Sequence, residues 1–332
     1  MSNKQNTFEL SDKRNITIED VVRIARDKQI ITPSNQANTN ISANWDAIGE
    51  MLDRGDVMYG LNTGIGGFGN VRISKDKAGE LSTRMLRAHS SGWGDFVEEE
   101  IARATFFLRT ALFALGYSGV RTTLFNTMIE MLNKGVTPTF YNKGSVGTSG
   151  DLAPLSQMGL VLIGQGNAYY RGKLMSGKAA MKKAGINTLK LAYREGLAIM
   201  NGTQYMSAVA TFNVYDFERM LRQTEIVCSM NIEVLNCVTS AYSKEYNATK
   251  LYPGQSDTAS NLRLMLKGSQ IMEKPKLNVQ NAYALRAVPQ VLGAAREGLN
   301  FIRQMTEWEI NSVADNPLFF TKEKICLPGA NF

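Results

Sequence analysis

The chain has 332 residues, 44% of them hydrophobic and 20% charged, enough to bury a core in one large domain or two ordinary ones and too apolar for disorder as the main state. Its three cysteines, Cys228, Cys237 and Cys326, lack thiolate-pair spacing, and its single histidine, His89, excludes a two-histidine metal site or separate acid and base histidines in one copy, so no metal is expected. The net charge of +7, from 37 Lys and Arg against 30 Asp and Glu, is scattered without a basic block, so nucleic acid is not an expected partner.

Residues 1–14 are polar and mixed in charge with no apolar core, and no later run reaches bilayer length; the expected protein is cytoplasmic and free of membrane. Residues 16–27 carry an apolar stripe of Ile18, Val21, Val22, Ile24 and Ala25, with Thr17 placed to cap the helix and Asp20 three residues on. Residues 31–44, rich in Thr, Ser, Asn and Pro, read as a loop leading to a helix over 45–54.

Residues 59–70, YGLNTGIGGFGN, hold too many glycines for a regular helix or central strand. Two readings stand: a surface connection, or a lid whose glycines, Gly66 among them, let backbone approach a ligand while Tyr59 and Asn62 point inward. Helical patterns follow over 77–89 and 98–115, the latter closed by Gly116, and over 120–133, stopped by Gly135 and Pro138.

Residues 144–155, GSVGTSGDLAPL, are a compressed loop feeding a helix, with Asp151 at the N-cap position and Pro154 in the first turn. Such a loop serves as a plain turn and cap or as an anion site, and it lacks the Lys-Ser/Thr ending of a phosphate loop. A hairpin or two fits around 168–173. Beyond residue 196 long helical stripes run over 205–236, 259–272 and 282–309, whose Met, Leu and aromatic residues read as bundle core. With no internal repeat and no βαβ alternation, the fold class is mainly α: an N-terminal domain over 1–200 with the Gly-rich loops, then a helical bundle over 201–332.

Seven segments occur in order: YGLNTGIGGFG from Tyr59, LRAHSSG around His89, GYSGVR ending at Arg121, GSVGTSGDLAPL, EGLAIMNGTQ ending at Gln204, VQNAYALRAVPQVLG from Val279 and NSVADNPL ending at Leu318. Together they resemble the histidine and aromatic amino-acid ammonia-lyases and their aminomutase relatives. The resemblance implies a prosthetic group built from the chain, a methylidene-imidazolone (MIO) formed autocatalytically from Thr148, Ser149 and Gly150 with loss of two waters, and no external cofactor. Gly150 suits it, having no Cβ to obstruct attack of its nitrogen on the Thr148 carbonyl. By the same resemblance Tyr59 is the base, Asn201 shapes the prosthetic group and positions the substrate amine, and Tyr283 offers a hydroxyl. Arg286 clamps the carboxylate, Phe332 lines the pocket, and Asn62, Gly66 and Gln280 complete the substrate-binding set. Spacing lets Gln280, Tyr283 and Arg286 share one helix face. His89 falls at the ring-recognition position, where it would bond an imidazole or a phenol.

The implied activity is elimination of ammonia from an aromatic L-amino acid, histidine or tyrosine, to an arylacrylate. Two alternatives are a 2,3-aminomutase and a noncatalytic subunit that needs a separate C-terminal chain. Thr148 stands where relatives carry Ala, as in some bacterial aminomutases. Ala111 replaces a frequent Asn, and the histidine-containing stretch that many histidine lyases have near Tyr246 and Asn247 is absent. The chain stops at LPGANF, inside a motif the family continues with a long helical region, so it reads as an N-terminal portion of an enzyme that is a homotetramer at full length, with sites built from three subunits.

Overall fold

The computed structural model describes residues 7–331; the first six residues of the polar leader and Phe332 lie outside the described residues. Two compact units emerge: residues up to Phe212 together with those from Glu307 onward, and Asn213–Thr306. The sequence division at residue 200 thus differs from the contact-defined one, in which the last segment returns to the first unit.

In the first unit β1 (Phe8–Leu10), α1 (Ile18–Arg26) and β2 (Ile31–Pro33) form a parallel crossover, with Phe8 opposite Ile31 and Leu10 opposite Pro33. This crossover stays a two-stranded pair and does not extend into a βαβ alternation among the described residues, and its three-residue strands are too short to leave an alternating pattern. Thr17 and Asp20 form a capping box, Thr17 Oγ1 accepting from Asp20 N at 3.1 Å and the Asp20 carboxylate from Thr17 N at 2.9 Å. Helix α2 (Asn35–Asp53) begins at Asn35, well before the expected 45. Its polar first half is one solvent face, while Ala37, Ile41 and Asn44 are buried at helical spacing and Ser34 Oγ caps Ala37 N at 3.1 Å.

Next come α3 (Lys75–His89), β3 (Trp93–Phe96), α4 (Glu99–Ala114), α5 (Thr122–Lys134), β4 (Val136–Thr139), β5 (Tyr141–Lys143) and α6 (Leu152–Leu162). They are followed by β6 (Asn167–Tyr170), β7 (Lys173–Ser176), α7 (Gly177–Ala184) and α8 (Glu195–Met200). β3 pairs with β5, and the expected hairpin β6–β7 extends to a three-stranded antiparallel sheet with β4. Helix α4 is buried on every side from Ala102 to Ala114, including Arg103 and Arg109, so it is the axis of this unit.

Helices α3, α6 and α8 pack closely through glycines. Gly196 lies directly on the Ser82 backbone of α3, and Gly159 of α6 meets Ile199 of α8 and Leu86 of α3. Small residues at such crossings let helix backbones approach; a methyl group there has nowhere to go.

The second unit is helical: α9 (Gln204–Val234), which starts in the first unit, α10 (Lys244–Asn247), α11 (Pro253–Leu266), α12 (Tyr283–Arg286) and α13 (Val288–Ile310). Its core gathers Ile232, Cys237, Tyr242, Leu262, Leu266 and Val288. The third expected stripe is two helices, because Pro289 lacks an N–H and belongs in a first turn, so α13 restarts after Ala287. The stripes are not all core: Met220, Val227, Met230, Phe301 and Ile302 are exposed. Back in the first unit, β8 (Leu318–Phe320) and β9 (Ile325–Leu327) form a hairpin that buries Phe319 against Ile48, Met51, Met58 and Leu61. Among the described residues no helix is long and apolar enough to cross a membrane.

Replacing Gly196 by Ala drives a Cβ into the Ser82 backbone. The expected loss is about 1–3 kcal/mol of stability from overpacking, read as a lower urea midpoint with unchanged slope.

Candidate active site

Ends of α3, α6 and α8 meet at one place. Gly144 lies on the Ser91 carbonyl and Gly92, just beyond His89 at the end of α3, and beside Ala153 of α6. The intervening loop is tightly wound: Gly147, Ser149 and Gly150 have φ of 76°, 63° and 85°, and Gly150 N donates to the Gly147 carbonyl at 3.1 Å. The left-handed region suits glycine and is uncommon for serine, so Ser149 is held there by its surroundings. Thr148 is exposed, Ser149 half-buried and Gly150 buried.

The surroundings come from the end of α8. Asn201 donates from Nδ2 to Ser149 Oγ at 3.2 Å, and its Oδ1 accepts from Asn331 Nδ2, which fixes which way the buried amide points. One residue on, the Gly202 carbonyl accepts from Asp151 N at 2.6 Å, and a Cβ at position 150 would strike that carbonyl. Asp151 occupies the N-cap position of α6 without capping it. Its carboxylate accepts instead from Ser145 Oγ at 2.8 Å and Met206 N at 3.0 Å, tying loop to α9, and burial pushes it above the ordinary carboxylate range.

A charged cluster stands behind Gly202. Asp315 lies between Arg194 Nη2 at 2.5 Å and Arg109 Nη2 at 3.3 Å, all three side chains fully buried. Arg194, itself at φ 68°, donates further to the carbonyls of Ser118, Asn316 and Pro317. Arg109 donates from Nη1 to Gln204 Oε1 at 3.0 Å and the Ala314 carbonyl at 2.8 Å, and from Nη2 to the Ala198 carbonyl. Burial lowers the Arg109 guanidinium to about 10, so it remains a cation at neutral pH.

Tyr59 sits in a turn that closes on itself. Its hydroxyl oxygen accepts from Gly66 N at 2.7 Å, its ring lies against Gly69, and Gly60 packs on Leu197 of α8. Asn62 does not reach inward as expected: Oδ1 accepts from Met58 N at 2.8 Å and Nδ2 donates to the Asp56 carbonyl at 2.7 Å, so its amide is spent bracing the turn. His89 Nδ1 is 2.8 Å from the Met85 carbonyl, an acceptor only; that nitrogen therefore carries the hydrogen and leaves Nε2 as an acceptor in the neutral ring.

The second unit holds the remaining expected residues. The Arg286 guanidinium lies over the Tyr283 ring, 4.7 Å from its centroid, and Tyr283 is exposed. Gln280 lines a cavity of about 510 Å³ with Asn281, Arg286, Val238 and Tyr246. It is not on the helix face with Tyr283, as spacing predicted. Asn281 exchanges two 2.7 Å bonds with the Val238 backbone, and Gln280 lies in a bend before α12 begins. Phe332 lies outside the described residues. Sequence reasoning passed over Arg109, Arg194, Gly202, Asp315 and Asn331, although Gly202 and Asp315 lie inside the quoted EGLAIMNGTQ and NSVADNPL segments.

Residues 16–332 match the model of the family described as aromatic amino acid lyase, and the chain belongs to that family. It is 42% identical to a histidine ammonia-lyase of Caldanaerobacter subterraneus subsp. tengcongensis over 97% of this chain and 63% of the relative. To a histidine ammonia-lyase of Alkaliphilus oremlandii it is 38% identical, over 97% of this chain and 64% of the relative. Among solved structures it is similar to the phenylalanine aminomutase of Pantoea agglomerans, with a TM-score of 0.92, 30% identity and coverage of 97% of this chain and 66% of that one. The tyrosine aminomutase of Streptomyces globisporus gives a TM-score of 0.92 and 31% identity over 98% of this chain and 65% of that one. The chain thus spans a little under two thirds of the length of these relatives.

Asp315→Ala leaves two buried guanidiniums without their counter-charge. Breaking such a buried set typically costs about 3–5 kcal/mol, so the variant should show a correspondingly reduced unfolding free energy in denaturant titration.

Proposed function

We propose that the protein to which this chain belongs eliminates ammonia from an aromatic L-amino acid, histidine foremost, to give the arylacrylate. The observation that carries this reading is Ser149, held at positive φ between Gly147 and Gly150 with its Oγ on the Asn201 amide, in a chain of the aromatic amino acid lyase family. These residues suit an internally formed methylidene-imidazolone, since Gly150 has no Cβ to meet the Gly202 carbonyl and Asn201 reaches the Ser149 side chain. That group, once formed, supplies an electrophilic carbon that no ordinary side chain offers.

The chain's own residues do the rest. Tyr59 is the base for the β-proton, its oxygen fixed in place by the Gly66 N–H on a turn seated against α8. Asn201, its amide oriented by Asn331, positions the amine. His89 offers Nε2 to the N–H of an imidazole or the O–H of a phenol. Arg286 pairs with the substrate carboxylate, with Tyr283 and Gln280 beside it in sequence. Histidine is preferred over tyrosine on the strength of relatives named histidine ammonia-lyase at 37–42% identity. A homotetramer at full length fits the exposed Val227, Met230, Phe301 and Ile302, and a reducing cytoplasm fits three free cysteines.

A second reading, a 2,3-aminomutase, is favoured by Thr148 at the first tripeptide position and by likeness to solved aminomutases. Product analysis with L-histidine, L-tyrosine and L-phenylalanine separates the two. A lyase accumulates ammonia and arylacrylate in equal amounts, whereas a mutase yields mainly β-amino acid with little free ammonia. Ser149→Ala should abolish either activity, and Tyr59→Phe should lower kcat roughly 100- to 10,000-fold by removing the general base. Wild-type turnover retained in Ser149→Ala would sink the proposal.

A further inference from the structure

Gly202 is confined on two sides. On one, its carbonyl accepts from Asp151 N and fills the place a Cβ on Gly150 would take; on the other, a Cβ built on Gly202 would meet Gln204 Oε1, Arg109 Nη1 and, at 2.7 Å, the Ala314 carbonyl. These neighbours cannot retreat, because Arg109 is tied to Gln204 and Ala314 and lies 3.3 Å from Asp315, which Arg194 holds in turn. Across the loop Gly144 rests on Ser91 and Gly92. The end of the tripeptide is therefore held against the Gly202 backbone, which residues 314–317 secure from the other side, while the start of the loop is seated on α3 through Gly144.

We infer that Arg109 is a positioning residue for formation of the prosthetic group: it fixes Gly202, the backbone against which Gly150 and Asp151 are held, so cyclisation follows docking of Asp315 on Arg109 and Arg194. The inference rests on the reading of Thr148, Ser149 and Gly150 given above. In the step itself the Gly150 nitrogen bonds to the Thr148 carbonyl carbon. The carbonyl oxygen leaves as water with the Gly150 and Ser149 amide hydrogens, giving a C=N bond to the Ser149 nitrogen. The Ser149 hydroxyl then leaves with the Cα hydrogen as a second water, giving the exocyclic C=C bond. No oxidant or co-reactant enters, so the rate depends on how closely the nitrogen is held to the carbonyl carbon, and a displacement of ~1 Å costs on the order of 100-fold.

The test is a refolding time course of the full chain, with intact mass and peptide mapping reporting loss of two waters at residues 148–150. Arg109→Lys keeps the charge beside Asp315 and loses the fork that reaches Gln204 and Ala314; water loss should slow on the order of 100-fold while the circular dichroism spectrum stays that of the parent. Gln204→Met leaves the ion cluster whole and should slow water loss in the same direction, which decides the matter if Arg109→Lys does not fold. Arg103→Lys removes another buried fork of α4, one that serves the Ile24 and Leu132 carbonyls, and should cyclise at the parent's rate. Parental rates in folded Arg109→Lys or in Gln204→Met, or equal slowing in Arg103→Lys, would overturn the inference alone. A parent that never loses the two waters would overturn the reading of the tripeptide and the inference with it.

Discussion

A carboxylate with no solvent exposure must be neutralised where it stands, and Asp315 is neutralised by two guanidiniums equally buried. Much of the first unit's geometry follows from that demand. The guanidinium ends of Arg194 and Arg109 also donate to the carbonyls of Ser118, Ala198, Ala314, Asn316 and Pro317, while Arg109 Nε is left without a partner. The segment before β8 is thereby bolted onto α4 and onto both ends of α8. A hydrophobic contact could have slid by a few tenths of an ångström; a shared carboxylate with directional donors on each side is far less tolerant.

The candidate site inherits this rigidity. Gly202 lies between the arginine cluster and the tripeptide loop, Asn201 beside it meets Ser149, and Asp151 carries the loop onto α9. Three helix ends converge because α3, α6 and α8 cross at glycines and can bring their backbones close. Tyr59 joins them through Gly60 against Leu197, on a turn stiffened by the Asn62 amide and by the bond from Gly66 N to the tyrosine oxygen. Glycine serves here less as a source of flexibility than as a way to pack backbone on backbone. The strained φ at Ser149 and at Arg194 is held by hydrogen bonds to neighbouring parts of the unit, as expected for positions whose conformation serves the site.

Local signals carried far along this chain, and their failures share one cause. The cap at Thr17, the stop at Gly135, the glycine-dense segments and the stripe of α9 all follow from a few neighbouring residues. Helix α2 escaped because its first half is polar on one face and its buried Asn44 is satisfied by Gly119 N and the Phe319 carbonyl, partners that no local window includes. Asp151 was legible as an N-cap by position, yet its carboxylate turned to Ser145 and Met206. The stripe over 282–309 was read through Pro289, whose ring restarts the helix. Short strands β1, β2, β8 and β9 left no period to detect.

The sequence by itself determined a mainly helical chain, the ordered segments that mark its family, and a Thr148-Ser149-Gly150 tripeptide that ends on a residue without a Cβ. Those properties reside in residue types and short spacings. Tertiary structure alone decided that Arg109 and Arg194 share Asp315, that Gly202 stands against Gly150, and that Asn331 orients Asn201. Such contacts join residues far apart in the chain, so no periodicity records them. What selects them is the cost of burying a charge or an amide without a partner, a cost that exists only once the chain has closed around the group.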